Sequence, residues 1–236
     1  DEPDYLYTYQ NTRGKRLNQP FGLVAEGLFQ SEEEISSSPK QTVGTVRVGD
    51  IKYKDINGDG VVDTYDDVAI GNPDTPEVVY GFGTSVTYKG FDASIFFQGA
   101  SNMNFMLSGD GFFPFTRGET QGNVTYYATD RWTPENPSHD VLFPRLSSGS
   151  NPNNYRSSTW WQRKADYLRI KTAEFGYTVP KKVLQKLNVA TFRIYVSGLN
   201  LHTFSSFKYW DPELGNGNGA AYPLQRSFII GANLNF

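Results

Sequence analysis

The 236-residue chain contains no cysteine, two histidines, two methionines and no apolar run near the roughly 18 residues that a membrane-crossing helix needs. Without cysteine there is no disulfide framework and no thiolate chemistry, and a chain of this length can build its core without either. The absence assigns no compartment, because oxidising surroundings permit disulfides without requiring them. His139 and His202 stand apart, outside any metal or nucleophile pattern, so the sequence reads as a non-enzyme. Charge is scarce too: 22 basic against 25 acidic residues leave a net charge of -3, which gives no general attraction to nucleic acid. The lack of a long hydrophobic run excludes helical spans only, since strands of a membrane barrel alternate apolar with polar residues and dilute their hydropathy. The chain opens at Asp1 with neither methionine nor leader, as a processed product or a piece of a longer chain does.

What is plentiful points to an all-β chain. There are 17 Phe, 15 Tyr and 23 Gly, a combination suited to many strands joined by tight turns. Read in twos, Phe228, Ile230, Ala232, Leu234 and Phe236 share one face, and Ser227, Ile229, Gly231, Asn233 and Asn235 share the other. Phe192, Ile194 and Val196 repeat the pattern, as do Phe91, Ala93, Ile95 and Phe97, and a further strand is expected over 78–88. The stretch 166–178 is also strand-like, with a slip of parity near Ala173 that predicts a bulge. Shorter extended pieces are expected within 21–29 and 42–53.

The most chemically specific segment is Asp55-Ile56-Asn57-Gly58-Asp59-Gly60-Val61-Val62-Asp63-Thr64-Tyr65-Asp66. A hard cation takes six to eight oxygens, so a calcium loop spaces its ligands at positions 1, 3, 5, 7, 9 and 12 with Gly at 6. Asp55, Asn57, Asp59, the Val61 carbonyl, Asp63 and Asp66 fill that register, with Asp66 one methylene shorter than the usual bidentate Glu. Extended chain precedes the loop and Gly71-Asn72-Pro73 follows it, so the expectation is an isolated loop between strands, with Ca2+ in a structural role. The competing reading is a Gly-rich polar turn that binds nothing.

Connection lengths alternate. Lys89-Gly90 is a tight hairpin and Pro180-Lys181-Lys182 a moderate connection, whereas the excursions over about 101–160 and 205–224 are long and polar. Short turns at one end and long loops at the other fit an outer-membrane barrel, and place the 55–66 loop on the outer side. A soluble two-sheet sandwich, such as a secreted calcium-stabilised and possibly carbohydrate-binding module, shows the same alternation, and periodicity leaves both open. Trp132, Trp160, Trp161 and Trp210 lie in or beside the long loops, where interfacial or packing roles compete with stacking on sugar rings. Elsewhere, Ser31 and Glu34 read as the N-cap and third residue of a short helix.

Several strings together resemble the C-terminal part of SusC/RagA-type TonB-dependent outer-membrane transporters of Bacteroidetes. They are the run 49–60, then Ile70-Gly71-Asn72-Pro73, Tyr80-Gly81-Phe82, Tyr88-Lys89-Gly90-Phe91 and Phe97-Gln98-Gly99. Further on come Tyr167-Leu168-Arg169-Ile170-Lys171, Gly176-Tyr177 with Pro180, Gly198-Leu199-Asn200-Leu201, Tyr209-Trp210-Asp211-Pro212-Glu213 and Tyr222-Pro223. The resemblance covers nearly the whole chain and is least clear before Phe21. It implies a cell outer-membrane location and a plugged barrel of about 22 antiparallel strands, of which this chain supplies the last few. The plug and the earlier strands would lie elsewhere in the protein, since an open lipid-facing sheet leaves unpaired edges. The resemblance further implies import of an oligosaccharide or peptide beneath a SusD-like lipoprotein lid, driven through TonB. Phe236, with Phe228 upstream on the same parity, looks like the signal read by outer-membrane assembly machinery.

Overall fold

Period-two alternation becomes one antiparallel sheet of five strands: β1 Val78–Tyr88, β2 Phe91–Ser101, β3 Tyr167–Thr178, β4 Thr191–Ser205 and β5 Ser227–Asn235. The computed structural model describes residues 5–116, 124–149, 151–185, 189–216 and 219–236. Spatial order follows chain order, so the sheet is a meander. Its tightest turn is Lys89-Gly90, with φ of 48° and 89°. Two positive-φ residues are what a two-residue hairpin requires to match the strands' twist. The predicted bulge is present but sits at Lys171, where the ladder passes from Ile170 to Thr172 on both neighbours. It lies two residues before the expected slip, because Leu168 and Ile170 hold one face up to that point.

The register fixes two unlike faces. On one lie Phe82 and Val86 of β1, Phe91, Ile95 and Phe97 of β2, Phe175 and Tyr177 of β3, Ile194 and Val196 of β4, and Phe228, Ile230 and Leu234 of β5. Cross-strand ring pairs knit it together, Phe82 with Phe97 at 5.0 Å and Phe91 with Tyr177 at 4.6 Å. This face is uncovered: Val86 is 65% exposed, Phe228 75% and Ile230 86%. A sandwich would bury those side chains against a second sheet. The opposite face carries Ser85, Thr87, Asp92, Ser94, Gln98, Glu174, Arg193, Ser197 and Asn233. The chain therefore has the construction of a barrel wall, an open sheet that these five strands do not close.

The described residues within Asp1–Thr75, Asn104–Arg163 and Asn216–Ala221 form a separate compact unit of loops and short ribbons. Ala25–Leu28 pairs with Ile51–Tyr53, Phe21–Gly22 with Val68–Ala69, and Lys40–Gln41 runs parallel to Val61–Val62. Its core is aromatic. Phe113 stacks on Tyr155 at 4.5 Å and meets Trp161 edge-on at 4.6 Å, and Phe112 stacks on Phe143 at 5.2 Å. Trp132 and Trp161 are buried, so their rings are spent on packing and present no stacking surface.

The helix α1, Glu32–Ser37, forms where the capping signal predicts it, with Ser31 Oγ accepting from Glu34 N–H. The Glu34 carboxylate accepts from the Gln30 N–H at 2.9 Å and meets Lys52 at 3.0 Å. That backbone bond first, and the lysine second, hold its pKa below the ordinary carboxylate value. A depressed pKa means the contribution is present above the unfolded-state pKa and lost as pH falls through the folded one. In carboxylate NMR titrations Glu34 is expected to titrate below the ordinary glutamate value, with Gln30 N–H exchange rising in step. An unshifted Glu34 would show that the bond to Gln30 does not persist in solution.

Candidate functional site

The 55–66 loop is built by its own side chains. Asp55 accepts from Gly58 N–H at 2.7 Å and Gly60 N–H at 2.8 Å, Asn57 from Asp59 N–H at 2.9 Å, Asp59 from Val61 N–H at 2.8 Å and Asp63 from Tyr65 N–H at 2.7 Å. Each is a side chain capping the backbone two to five residues on, the habit that suits Asp and Asn to turns. Gly58 and Gly60 take φ of 77° and 86°, which a side chain would oppose. The chain then enters the parallel ribbon, which uses the carbonyls of Gly60 and Val62. Successive carbonyls of a strand alternate in direction, so that of Val61 faces away from the ribbon.

Asp66 behaves differently from its companions. It is fully buried, and its two oxygens accept from Ile56 N–H at 2.7 Å, Asn57 N–H at 3.3 Å and Asp63 N–H at 2.9 Å. It closes the loop as a knot of hydrogen bonds to the loop's own backbone. The remaining donors fit a hard cation by type: a carboxylate has about four lone-pair sites, so Asp55, Asp59 and Asp63 keep acceptor capacity beyond the amides they bind. Among the described residues no three carboxylate or imidazole groups already converge as a metal cage, so ligation asks these side chains to turn toward a common centre.

Neighbouring chain braces the loop. Tyr9 Oη donates to the Tyr65 carbonyl at 2.7 Å, Gln10 Nε2 to the Thr64 carbonyl at 2.7 Å, and Tyr7 stacks on Tyr9 at 5.2 Å. Just past the loop, Asp67 pairs with Arg156 at 2.8 Å. Burial nevertheless raises its pKa, outweighing the guanidinium, and its Oδ1 is buried with no hydrogen bond.

Two polar clusters arise from pairings that no local pattern in the sequence shows. In the loop unit, Asp50 is fully buried and accepts from Arg47 N–H at 2.9 Å, Asn154 Nδ2 at 2.9 Å, Asn151 Nδ2 at 3.3 Å and Arg145 Nη2 at 3.2 Å. On the polar face of the sheet, Arg193 bridges Asp92 and Glu174, one residue from each of three adjacent strands. Gly176 makes this possible, because a Cβ there would lie 2.5 Å from the guanidinium. His139 and His202 remain apart in role as in sequence: His139 Nδ1 accepts from Leu28 N–H and the His202 ring lies edge-on to Phe204. Phe228 projects from the apolar parity, and Phe236, one residue past the last paired position, is 87% exposed.

No family model matches the chain. Among curated proteins it is 33% identical to TonB-dependent receptor P26 of Formosa agariphila, over 99% of this chain and 24% of that receptor. It is 29% identical to TonB-dependent receptor P3 of the same organism, over 94% of this chain and 22% of the receptor. The chain thus spans about a quarter of the length of the curated relatives it matches. Among solved structures, the RagAB peptide transporter superposes with a TM-score of 0.66 at 20% identity, covering 92% of this chain and 22% of that one. The RagAB peptide importer in its closed-closed state gives 0.64 at 23% identity, with 92% and 23% covered. At such identities the likeness is one of fold.

Proposed function

We propose, from the premise that this chain belongs to the TonB-dependent receptor family as a segment of its barrel, that the whole protein imports a nutrient across the outer membrane. The relatives are receptors, not enzymes. The single observation that carries the reading is the uncovered apolar face joined to a polar one in the same five-stranded sheet: the first suits acyl chains, the second a hydrated lumen. An open sheet edge is unstable in hydrocarbon, so further strands must complete the cylinder. The finer parts of the reading are a SusC/RagA-type receptor, a SusD-like lipoprotein lid, an oligosaccharide or peptide ligand and plug displacement driven by TonB. They draw support from the motif strings and from the fold shared with RagAB. The aromatic pair Phe228 and Phe236 serves, on this reading, as an assembly signal. A soluble secreted module has no observation in its favour.

The test is genetic. A strain lacking the full-length protein is grown on a panel of oligosaccharides and peptides as sole nutrient, beside a strain lacking TonB. Loss of growth on the same nutrient in both supports the reading; full growth of the receptor mutant on every one overturns it.

The 55–66 loop is proposed to take Ca2+ in a structural role on the outer side, through Asp55, Asn57, Asp59, the Val61 carbonyl and Asp63, with Asp66 as the closing group. A ligand that binds only the folded state stabilises it by RT ln(1 + [L]/Kd), so calcium at 100 times Kd contributes about 2.7 kcal/mol. The expected result is calcium-dependent protection of 55–66 in hydrogen exchange of the full-length protein. Asp59→Ala should abolish the calcium dependence and, because Val61 N–H loses its acceptor, loosen the calcium-free loop only locally at Val61. Asp66→Ala should instead unprotect the loop with or without calcium, because three N–H groups lose their acceptor. Protection that ignores calcium in the wild type would leave the loop a self-capped turn.

A further inference from the structure

Two motif strings, 167–171 and 209–213, lie 42 residues apart and meet in the sheet unit. Arg169 is 1% exposed, its guanidinium bonded to Asp211 and 3.3 Å from Glu213, while Lys171 Nζ reaches Glu213 at 2.7 Å. The register puts Arg169 opposite Thr203 and Gln98, on the polar face that carries Glu174 and Asp92. The chain leaving β4 therefore doubles back over that face.

What holds it there is more than one ion pair. The segment is internally stiff: Asp211 Oδ1 caps the following turn by accepting from Glu213 N–H at 3.0 Å, Trp210 Nε1 donates to the Gly215 carbonyl at 2.9 Å, and Trp210 meets the buried Phe207 edge-on at 4.7 Å. Ser205 Oγ donates to the Asp166 carbonyl at 2.7 Å and accepts from Phe207 N–H at 3.1 Å, which pins the base of the segment. Two cations of the wall face two anions of one short turn. A buried guanidinium stripped of both carboxylates is strongly unfavourable, so intermediate positions of the turn are penalised. Packed and charged contacts of this kind favour two discrete arrangements over a continuum.

We infer that residues 206–215 form a charge-latched strap, held down as a unit over the polar wall by Arg169 and Lys171 and released as a unit when the latch is broken. On the import reading proposed above, on which its significance rests, the strap sets how much of the inner wall is open to passing solute. The wall residue Thr203 is half-buried and stands directly across the ladder from Arg169, beside the latch.

The experiment uses the full-length protein in detergent, with Thr203→Cys labelled by a maleimide and the modified peptide quantified by mass spectrometry. Labelling is expected to be slow in the otherwise wild-type protein and at least tenfold faster with Asp211→Asn and Glu213→Gln. Hydrogen exchange over 206–215 should rise with it while 191–199 and 227–235 stay protected. Exchanging the charges, Arg169→Asp with Asp211→Arg, should slow labelling again. Should exchange rise in the strands as well, the variant has damaged the wall, and Lys171→Met with Glu213→Met, which breaks the more exposed pair, decides instead: unchanged labelling overturns the strap. Fast labelling of the wild-type latch, or labelling indifferent to the neutralised carboxylates, also overturns it. None of these readouts requires transport, so failure of the import reading shows separately, in the growth panel.

Discussion

Asp50→Ala is expected to cost the loop unit about 3–5 kcal/mol, the penalty for stripping one partner from a buried charged network. Four donors converge on this carboxylate, and one of them, Arg145, carries a full charge at 3.1 Å. Removing the acceptor leaves the buried Asn151 amide unpaired, leaves the Asn154 amide only its longer bond to the Arg145 carbonyl, and takes from Arg47 N–H its partner, each a loss. Those asparagines belong to a larger lattice, in which Asn154 Oδ1 accepts from Ile51 N–H and Asn153 Nδ2 donates to the Ile51 carbonyl. The loss should therefore spread to Ile51–Tyr53 and its partner Ala25–Leu28. Hydrogen exchange of the full-length protein reads it directly, as faster exchange across 25–29 and 50–54 with the five-stranded sheet unaffected. Asp50→Asn keeps one acceptor and should lose less. A change below about 1 kcal/mol for the alanine variant would mean that water reaches the cluster.

Ile230→Arg is expected to cost about 2–4 kcal/mol in assembly of the barrel, the range for a basic residue near the midplane of a lipid-facing strand. Ile230 stands near the middle of Ser227–Asn235 and is 86% exposed, so in water the same change would be nearly neutral. The medium alone makes it large. The paired control is Ile229→Arg on the opposite parity, across the ladder from Ser197, where a cation stays hydrated. Folding of the full-length protein into lipid vesicles from urea, followed by the electrophoretic shift of folded barrels, measures both variants. The parity assignment fails if Ile230→Arg folds as well as the wild type and Ile229→Arg does not.

Both predictions rest on features of unequal visibility. The Ile230 face could be read from the alternation of residues 227–236, because in a strand successive side chains point to opposite sides and a neighbour's identity settles one's own direction. The hairpin at Lys89-Gly90 was equally plain, as was the Ser31 cap, each being a matter of two to four adjacent residues. The choice between barrel wall and sandwich was not, since both use the same alternation and differ only in what covers the apolar side. Within the 55–66 loop the spacing of oxygens was legible, but the division of labour was not: nothing local marks Asp66 as the inward, buried member. Asp50 stood inside a recognised string without any sign of its partners at 145, 151 and 154.

By itself, then, the order of residues determined strand faces, turn type and the spacing of oxygens along the loop, because each follows from backbone geometry over a few positions. Only the tertiary structure decided which charges meet: Arg193 with Asp92 across 101 residues, Arg169 with Asp211 across 42, Asp50 with Asn154 across 104. Such pairings arise where strand register and loop path bring distant side chains together, and desolvation then allows no charge there without a partner. No local period encodes that requirement.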